Sequence, residues 1–119
     1  MNDASTKIQE LKDQMAAFVR ERDWNQFHSP KNISMKLAIE AAELMEKFVW
    51  LDTQQSHDEI VHNRQEIEDE LADVFILVLT FCNVTGIDVS NAMRNKLVQM
   101  NDKYPVEKAK GKATKYTKL

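Results

Sequence analysis

Apolar residues recur near the start of the chain at Ile8, Leu11, Met15, Phe18 and Val19, the three- and four-residue spacing of one helix face, with Ser5 placed to cap it. This predicts a helix from about Ser5 to Arg22. The next stretch, Asp23-Trp-Asn-Gln-Phe-His-Ser29, has no period and ends at Ser29-Pro30. An N-cap followed by proline at the first helical position opens a second helix, expected over about Pro30 to Leu51. Polar residues from Thr53 through Asp58 are read as a break. A third and longest helix is expected from about Asp58 to Thr85, closed by Gly86, with an apolar second half that should be buried on most sides. Asp88 or Ser90 can cap a fourth helix reaching about Lys103, with Val89, Met93, Leu97 and Met100 along one stripe, and Tyr104-Pro105 stops it. Phe18, Phe48 and Phe75 fall at helical spacing and are assigned to the core. With no repeat of 20–50 residues and no linker, the pattern predicts an all-α four-helix bundle in a single domain, 1–119, whose last part, about 104–119, is a basic tail.

Composition supports helices. Two Gly and two Pro among 119 residues are few for a sheet-rich chain, and 43% hydrophobic with 29% charged residues is globular. A domain of this size buries roughly two-thirds of its unfolded surface. The apolar stretches exceed what one copy's core needs, so a homo-oligomer is expected. Cys82 has no partner for an intrachain disulfide and sits in an apolar run, which favours a small core residue. Met1-Asn-Asp-Ala-Ser-Thr has no signal pattern, and Val74 to Val84 is too short an apolar run to span a bilayer, so a cytoplasmic chain with no membrane partner is expected.

Charge is unevenly spread. From Lys103 onward six lysines face one acid, Glu107, leaving that segment at +5 and the body at −8. The plain reading is a solvated, partly disordered tail; the sharper one is a basic segment folding over a phosphate-bearing ligand. An acidic body repels a nucleic-acid polymer, and no groove-reading motif is present.

The chemistry lies in four acids. Helical residues three apart are about 4.5 Å apart along the axis and about 60° around it, so Glu40 with Glu43, and Glu70 with Asp73, share a face. Leu37-Ala-Ile-Glu40-Ala-Ala-Glu43-Leu-Met45 and Leu71-Ala-Asp73-Val-Phe-Ile-Leu77 set these acids among residues that otherwise face a core. Gathered carboxylates there need a cation, and a carboxylate-rich oxygen set suits Mg²⁺ or Mn²⁺. The plainer alternative is two solvated faces, with Glu40 in a surface ion pair with Lys36. Glu66, one turn before Glu70, is an outer candidate, whereas Glu46, Glu68 and Asp69 are placed on solvated flanks. His28 lacks a Cys or His partner at zinc-ligand spacing.

Glu40-x-x-Glu43, 26 residues, then Glu70-x-x-Asp73 resembles the E-x-x-E…E-x-x-D signature of the all-α nucleoside triphosphate pyrophosphohydrolases, the MazG-like superfamily. Arg22-Asp-Trp-Asn-Gln-Phe-His-Ser-Pro-Lys-Asn32, Lys47-Phe-Val-Trp50, Lys103-Tyr-Pro105 and Lys115-Tyr-Thr-Lys-Leu119 resemble its dCTP pyrophosphatase branch. The resemblance implies hydrolysis between the α and β phosphorus atoms to monophosphate and pyrophosphate, in a helical dimer or dimer of dimers that clears surplus or modified nucleotides. It departs from that pattern at Met100, with Asn101 one position late, and at Met15 and Leu77. The expected roles are Mg²⁺ binding by Glu40, Glu43, Glu70 and Asp73, and catalysis by Glu43 and Glu70. Substrate contacts are expected from Trp24, His28, Trp50, Lys96, Asn101, Lys103, Tyr104 and Lys115, with dCTP or a modified dCTP as substrate. Two other readings stay open: a non-catalytic helical module that senses nucleotides, and an enzyme like the phosphoribosyl-ATP pyrophosphohydrolases.

Overall fold

A computed structural model describes all residues 1–119 and is all-α, with six helices and no strand. They are α1 (Ile8–Glu21), α2 (Pro30–Glu46), α3 (Thr53–His62), α4 (Arg64–Thr85), α5 (Val89–Lys103) and the short α6 (Val106–Ala109). Two compact units divide the chain, Met1–Gly86 and Ile87–Leu119. No helix is by itself long and apolar enough to cross a membrane.

In the first unit α4 is the central element, packed by α2, α1 and α3. Its start and end follow from local chemistry. Asn63, at φ −125° and ψ 38°, interrupts the winding before it, and Gly86, at φ 74°, ends it in the left-handed region that glycine enters without a Cβ clash. Val19 of α1, Ile33 of α2 and Ile67, Leu79 and Cys82 of α4 are the buried hydrophobic residues. An amide ties two of these helices: the Asn83 side chain donates to the Lys12 carbonyl at 2.9 Å.

Four features differ from the sequence expectation. Ser5 does not cap α1; the Asn2 Oδ1 accepts both its hydroxyl, at 2.9 Å, and its amide, at 3.0 Å. The helix begins at Ile8 instead, where the Glu10 carboxylate accepts the Lys7 amide at 2.7 Å. The second helix opens as expected, the Ser29 hydroxyl accepting the Asn32 amide at 3.1 Å, but ends at Glu46. Past it the Lys47 and Phe48 amides donate three residues back, to Leu44 and Met45, so the chain tightens into turns.

The stretch read as a polar break is the first half of α3. Asp52 accepts the Gln55 amide at 2.8 Å while the Gln55 side chain accepts the Asp52 amide at 3.0 Å, a reciprocal cap that starts a helix without any apolar stripe. The expected single long helix is therefore two, separated at Asn63, whose side-chain amide donates to Glu59. The fourth difference is burial. Phe18 and Phe75, assigned to the core, are 40% and 41% exposed, and Leu71 on α4 is exposed as well. A chain this short has too few helices to cover every face of α4.

In the second unit α5 is capped by Asp88, not Ser90: the Asp88 carboxylate accepts the Asn91 amide at 2.9 Å. Met93, Leu97, Val98 and Met100 on α5 are all exposed. Tyr104 and Tyr116 meet edge to face at 5.9 Å, and the Lys103 ammonium lies 4.8 Å from the Tyr116 ring centroid.

Candidate functional site

Glu40 and Glu43 sit one helical turn apart on α2, and Glu70 faces them from the first half of α4. One oxygen from each carboxylate falls within 4.8 Å of the others. Glu40 is buried, whereas Glu43 and Glu70 are half-buried. The Lys36 ammonium, one turn before Glu40, pairs with it at 2.9 Å. That ion pair is the surface contact considered above, yet it leaves the other Glu40 oxygen, Oε2, buried without a hydrogen-bond partner. Glu70 Oε2 is buried and unpartnered too. One lysine thus meets three gathered carboxylates, and buried polar atoms left without partners are costly.

The neighbouring Glu40 carboxylate raises the Glu43 carboxyl above its ordinary range, with burial and the Glu70 charge adding to the effect. Glu40 is held below its ordinary value chiefly by the Lys36 ammonium paired with it. Lys36 is raised in turn, chiefly by its bond to Glu40. A set of inward carboxylates with orphaned oxygens is what a hard divalent cation relieves, and the donor set fits one. Asp73, exposed and one turn past Glu70, lies outside the gathered three, although its charge reaches Lys36.

Glu66 does not extend the cluster. It pairs with Lys47 at 3.2 Å, which raises the Lys47 ammonium above its usual range. Glu68 and Asp69 are engaged on the helix surface by Arg64 and Gln65, each at 2.9 Å.

Beside the acids lies an apolar cavity of about 300 Å³ between α1, α2, α4 and the loop before α2. Met15, Phe18, Trp24, Phe27, Ile76 and Leu77 line it, with His28, Asn32, Thr80 and Lys36 as its polar members. Lys36 therefore belongs to both the cavity and the acid cluster. Phe18 meets Trp24 edge to face at 5.7 Å, and the Trp24 and His28 rings are 6.5 Å apart. His28 Nδ1 is buried without a partner, so one ring nitrogen is available to a ligand. On its other side a smaller cavity of about 150 Å³, lined by Arg20, Asn25 and Asn83 among others, shares His28 and Thr80.

Of the sequence candidates, Glu40, Glu43, Glu70, Trp24 and His28 thus gather in the first unit. Trp50 stands apart at 92% exposure in the turns after α2 and lines neither cavity. Lys96, Asn101, Lys103, Tyr104 and Lys115 all belong to the second unit, where Lys103 and Tyr104 contact Tyr116. Phe27, a base-stacking candidate by residue type in the aperiodic loop, gathers with the candidates of the first unit. Lys36 was expected only as the ion-pair partner of Glu40, and Asn32 was given no role of its own; no local signal in the sequence places either at the cavity.

Residues 35–119 match the MazG-like family. Two dCTP pyrophosphatases 1, from Rattus norvegicus and Homo sapiens, are 32% and 30% identical over 114 residues, which is 94% of this chain and 67% of each relative. The crystal structure of a pyrophosphatase from Archaeoglobus fulgidus is similar at a TM-score of 0.81 and 32% identity, over 88% of this chain and 98% of that one.

Proposed function

The chain belongs to the MazG-like family, and from that premise we propose a Mg²⁺-dependent nucleoside triphosphate pyrophosphohydrolase acting on dCTP or a modified dCTP. The products are the nucleoside monophosphate and pyrophosphate. The observation that carries this reading is the junction at Lys36, where three gathered carboxylates with orphaned oxygens adjoin an aromatic cavity. The acids suit the cation that accompanies a triphosphate, and the cavity suits a nucleobase.

Glu40, Glu43 and Glu70 would hold the ion, with Asp73 joining them as a fourth ligand. A bound divalent ion supplies charge neutralisation at the phosphate oxygens and acidifies water. Glu43 is the group assigned to accept the proton of the attacking water, with Glu70 beside it. Lys36, already raised by its acidic partner, adds a fixed cation at the edge where base and phosphates meet. Trp24 and Phe27 offer ring faces to the base and His28 a nitrogen to its edge. Lys96, Asn101, Lys103, Tyr104 and Lys115 are assigned to the phosphates, and Trp50 to the base side of the substrate, in a fully assembled enzyme. That assembly is read as one functional domain per chain, a four-helix bundle, paired into a dimer or dimer of dimers; its support is the uncovered apolar surface of α4 and α5.

The test is release of pyrophosphate and monophosphate from a panel of triphosphates with and without Mg²⁺. Turnover of dCTP or 5-substituted dCTP that requires the metal is the expected result. Binding without cleavage would replace the enzyme by a nucleotide sensor. Cleavage of phosphoribosyl-ATP alone would overturn the substrate assignment.

A further inference from the structure

Trp24 and Phe27 line the apolar cavity but are not held there by burial, being 43% and 60% exposed. Ring contacts hold Trp24 only in part, at Phe18 and His28. The backbone around them supplies further ties. The Asp23 amide donates to Arg20 and the Trp24 amide to Val19, each at 3.0 Å, the two crossed bonds that close a helix through a left-handed residue. That residue is Asp23, at φ 54°, the one non-glycine in the chain with positive φ. Glycine fills this position at no steric cost, so an aspartate there needs another reason.

Its side chain and carbonyl provide one. The Gln26 amide donates to the Asp23 carbonyl at 3.0 Å and to the Asp23 carboxylate at 3.2 Å. This bridges the helix end to the 3₁₀ turn Asn25–Phe27. The far end of the turn is tied as well, the Asn32 side chain donating to the Phe27 carbonyl at 2.9 Å. Val19 and Trp24, joined by one of the crossed bonds, both line the cavity.

We propose that Asp23 and Gln26 are positioning residues that clamp the loop so that Trp24 and Phe27 form the wall of the base cavity. Neither lines the cavity itself. The inference rests on the reading of that cavity as the base subsite, and the variants separate the two.

Steady-state kinetics on the triphosphate that the wild-type enzyme cleaves best is the primary measurement. Trp24→Ala tests the subsite itself. Gln26→Ala removes both bonds, Asp23→Gly removes the carboxylate while keeping the left-handed backbone, and Asp23→Asn restores an oxygen acceptor in a residue that tolerates that backbone. Expected are KM increases of about threefold to tenfold for Gln26→Ala, somewhat less for Asp23→Gly, kcat nearly unchanged, and recovery in Asp23→Asn. The double variant Asp23→Gly with Gln26→Ala should be no worse than Gln26→Ala alone, since both act through one clamp. In a Trp50→Phe background, which leaves Trp24 as the only indole, Gln26→Ala should lower the fluorescence anisotropy of the ligand-free protein. If Trp24→Ala raises KM while the clamp variants leave KM and anisotropy unchanged, the clamp is wrong and the subsite stands. If Trp24→Ala leaves KM unchanged, the subsite reading falls and takes the clamp's purpose with it. A loss of kcat and KM in step with a lower melting temperature would reduce Asp23 to a structural role and overturn the proposal.

Discussion

The two units of this chain solve opposite problems. Met1–Gly86 contains every buried residue, carries a charge of −8 and gathers Glu40, Glu43 and Glu70 where solvent is scarce. Ile87–Leu119 has no buried residue, carries +5 and shows an uncovered row of methionine, leucine and valine along α5. A region that buries its acids stores electrostatic tension that a cation can release. A region that leaves apolar side chains in water stores surface tension that another surface can release. The first kind of tension points to a ligand, the second to a partner copy, and four measurements bear on that contrast.

The largest effect is expected in the first unit. Glu43→Ala should lower turnover by about 10³-fold or more while the helical circular dichroism stays intact, because it removes a metal ligand and the assigned base together. Retained activity would remove Glu43 from the mechanism. Asp73→Ala is expected to cost less, since Asp73 is exposed and stands outside the gathered three.

Next in size is self-association. Leu97→Asp puts a charge in the middle of the exposed α5 row and should shift the mass measured by light scattering from dimer or tetramer towards monomer. A wild-type protein that is already monomeric at micromolar concentration would break the contrast at its second half.

The third effect is a pH dependence within the acids. Glu43 is raised in the folded chain, so its contribution to stability is present below its unfolded value and is lost as pH rises through its folded value. Glu40 is lowered, so its contribution is present above its unfolded value and is lost as pH falls through its folded value. A proton held on the raised Glu43 carboxyl competes with a cation. Without metal, Glu43→Gln should match wild type in melting temperature at acid pH and exceed it at neutral pH, because the amide never acquires the charge that Glu40 and Glu70 repel once the wild-type acid has ionised. In the wild type, Mg²⁺ binding followed by calorimetry in buffers of different ionisation enthalpy should release protons, and the affinity should fall as pH drops through the raised Glu43 range.

The smallest effect tests the scaffold under the acids. Ser29→Ala removes the cap of α2 and should lower stability by about 1 kcal/mol with little change in kcat, read by denaturant unfolding. A large loss of activity at unchanged stability would mean that the helix start does more than hold Glu40 and Glu43 in place.

Much of this was legible in the residue order. Helical periodicity is a local property, and so are Ser29-Pro30, Gly86 and Tyr104-Pro105, which mark helix ends through their own backbone restrictions. The i, i+3 acids also needed no tertiary knowledge, since one helix alone puts Glu40 beside Glu43. Reading failed where two local signals competed. Asn2 captured the hydroxyl meant to cap α1, and Asp52 with Gln55 built a helix out of residues whose polarity resembled a break.

Only the tertiary structure decided which acids meet. Glu43 and Glu70 are separated by 26 residues of sequence, with a helix between them, and they come within one metal's reach because α4 packs against α2. The same packing put Lys36 at the shared edge of the acids and the aromatic cavity, left Asp73 outside, and exposed half of Phe18 and Phe75. Spacing along a helix fixes which side chains share its face, but what that face opposes depends on how distant segments pack, and no local pattern encodes that.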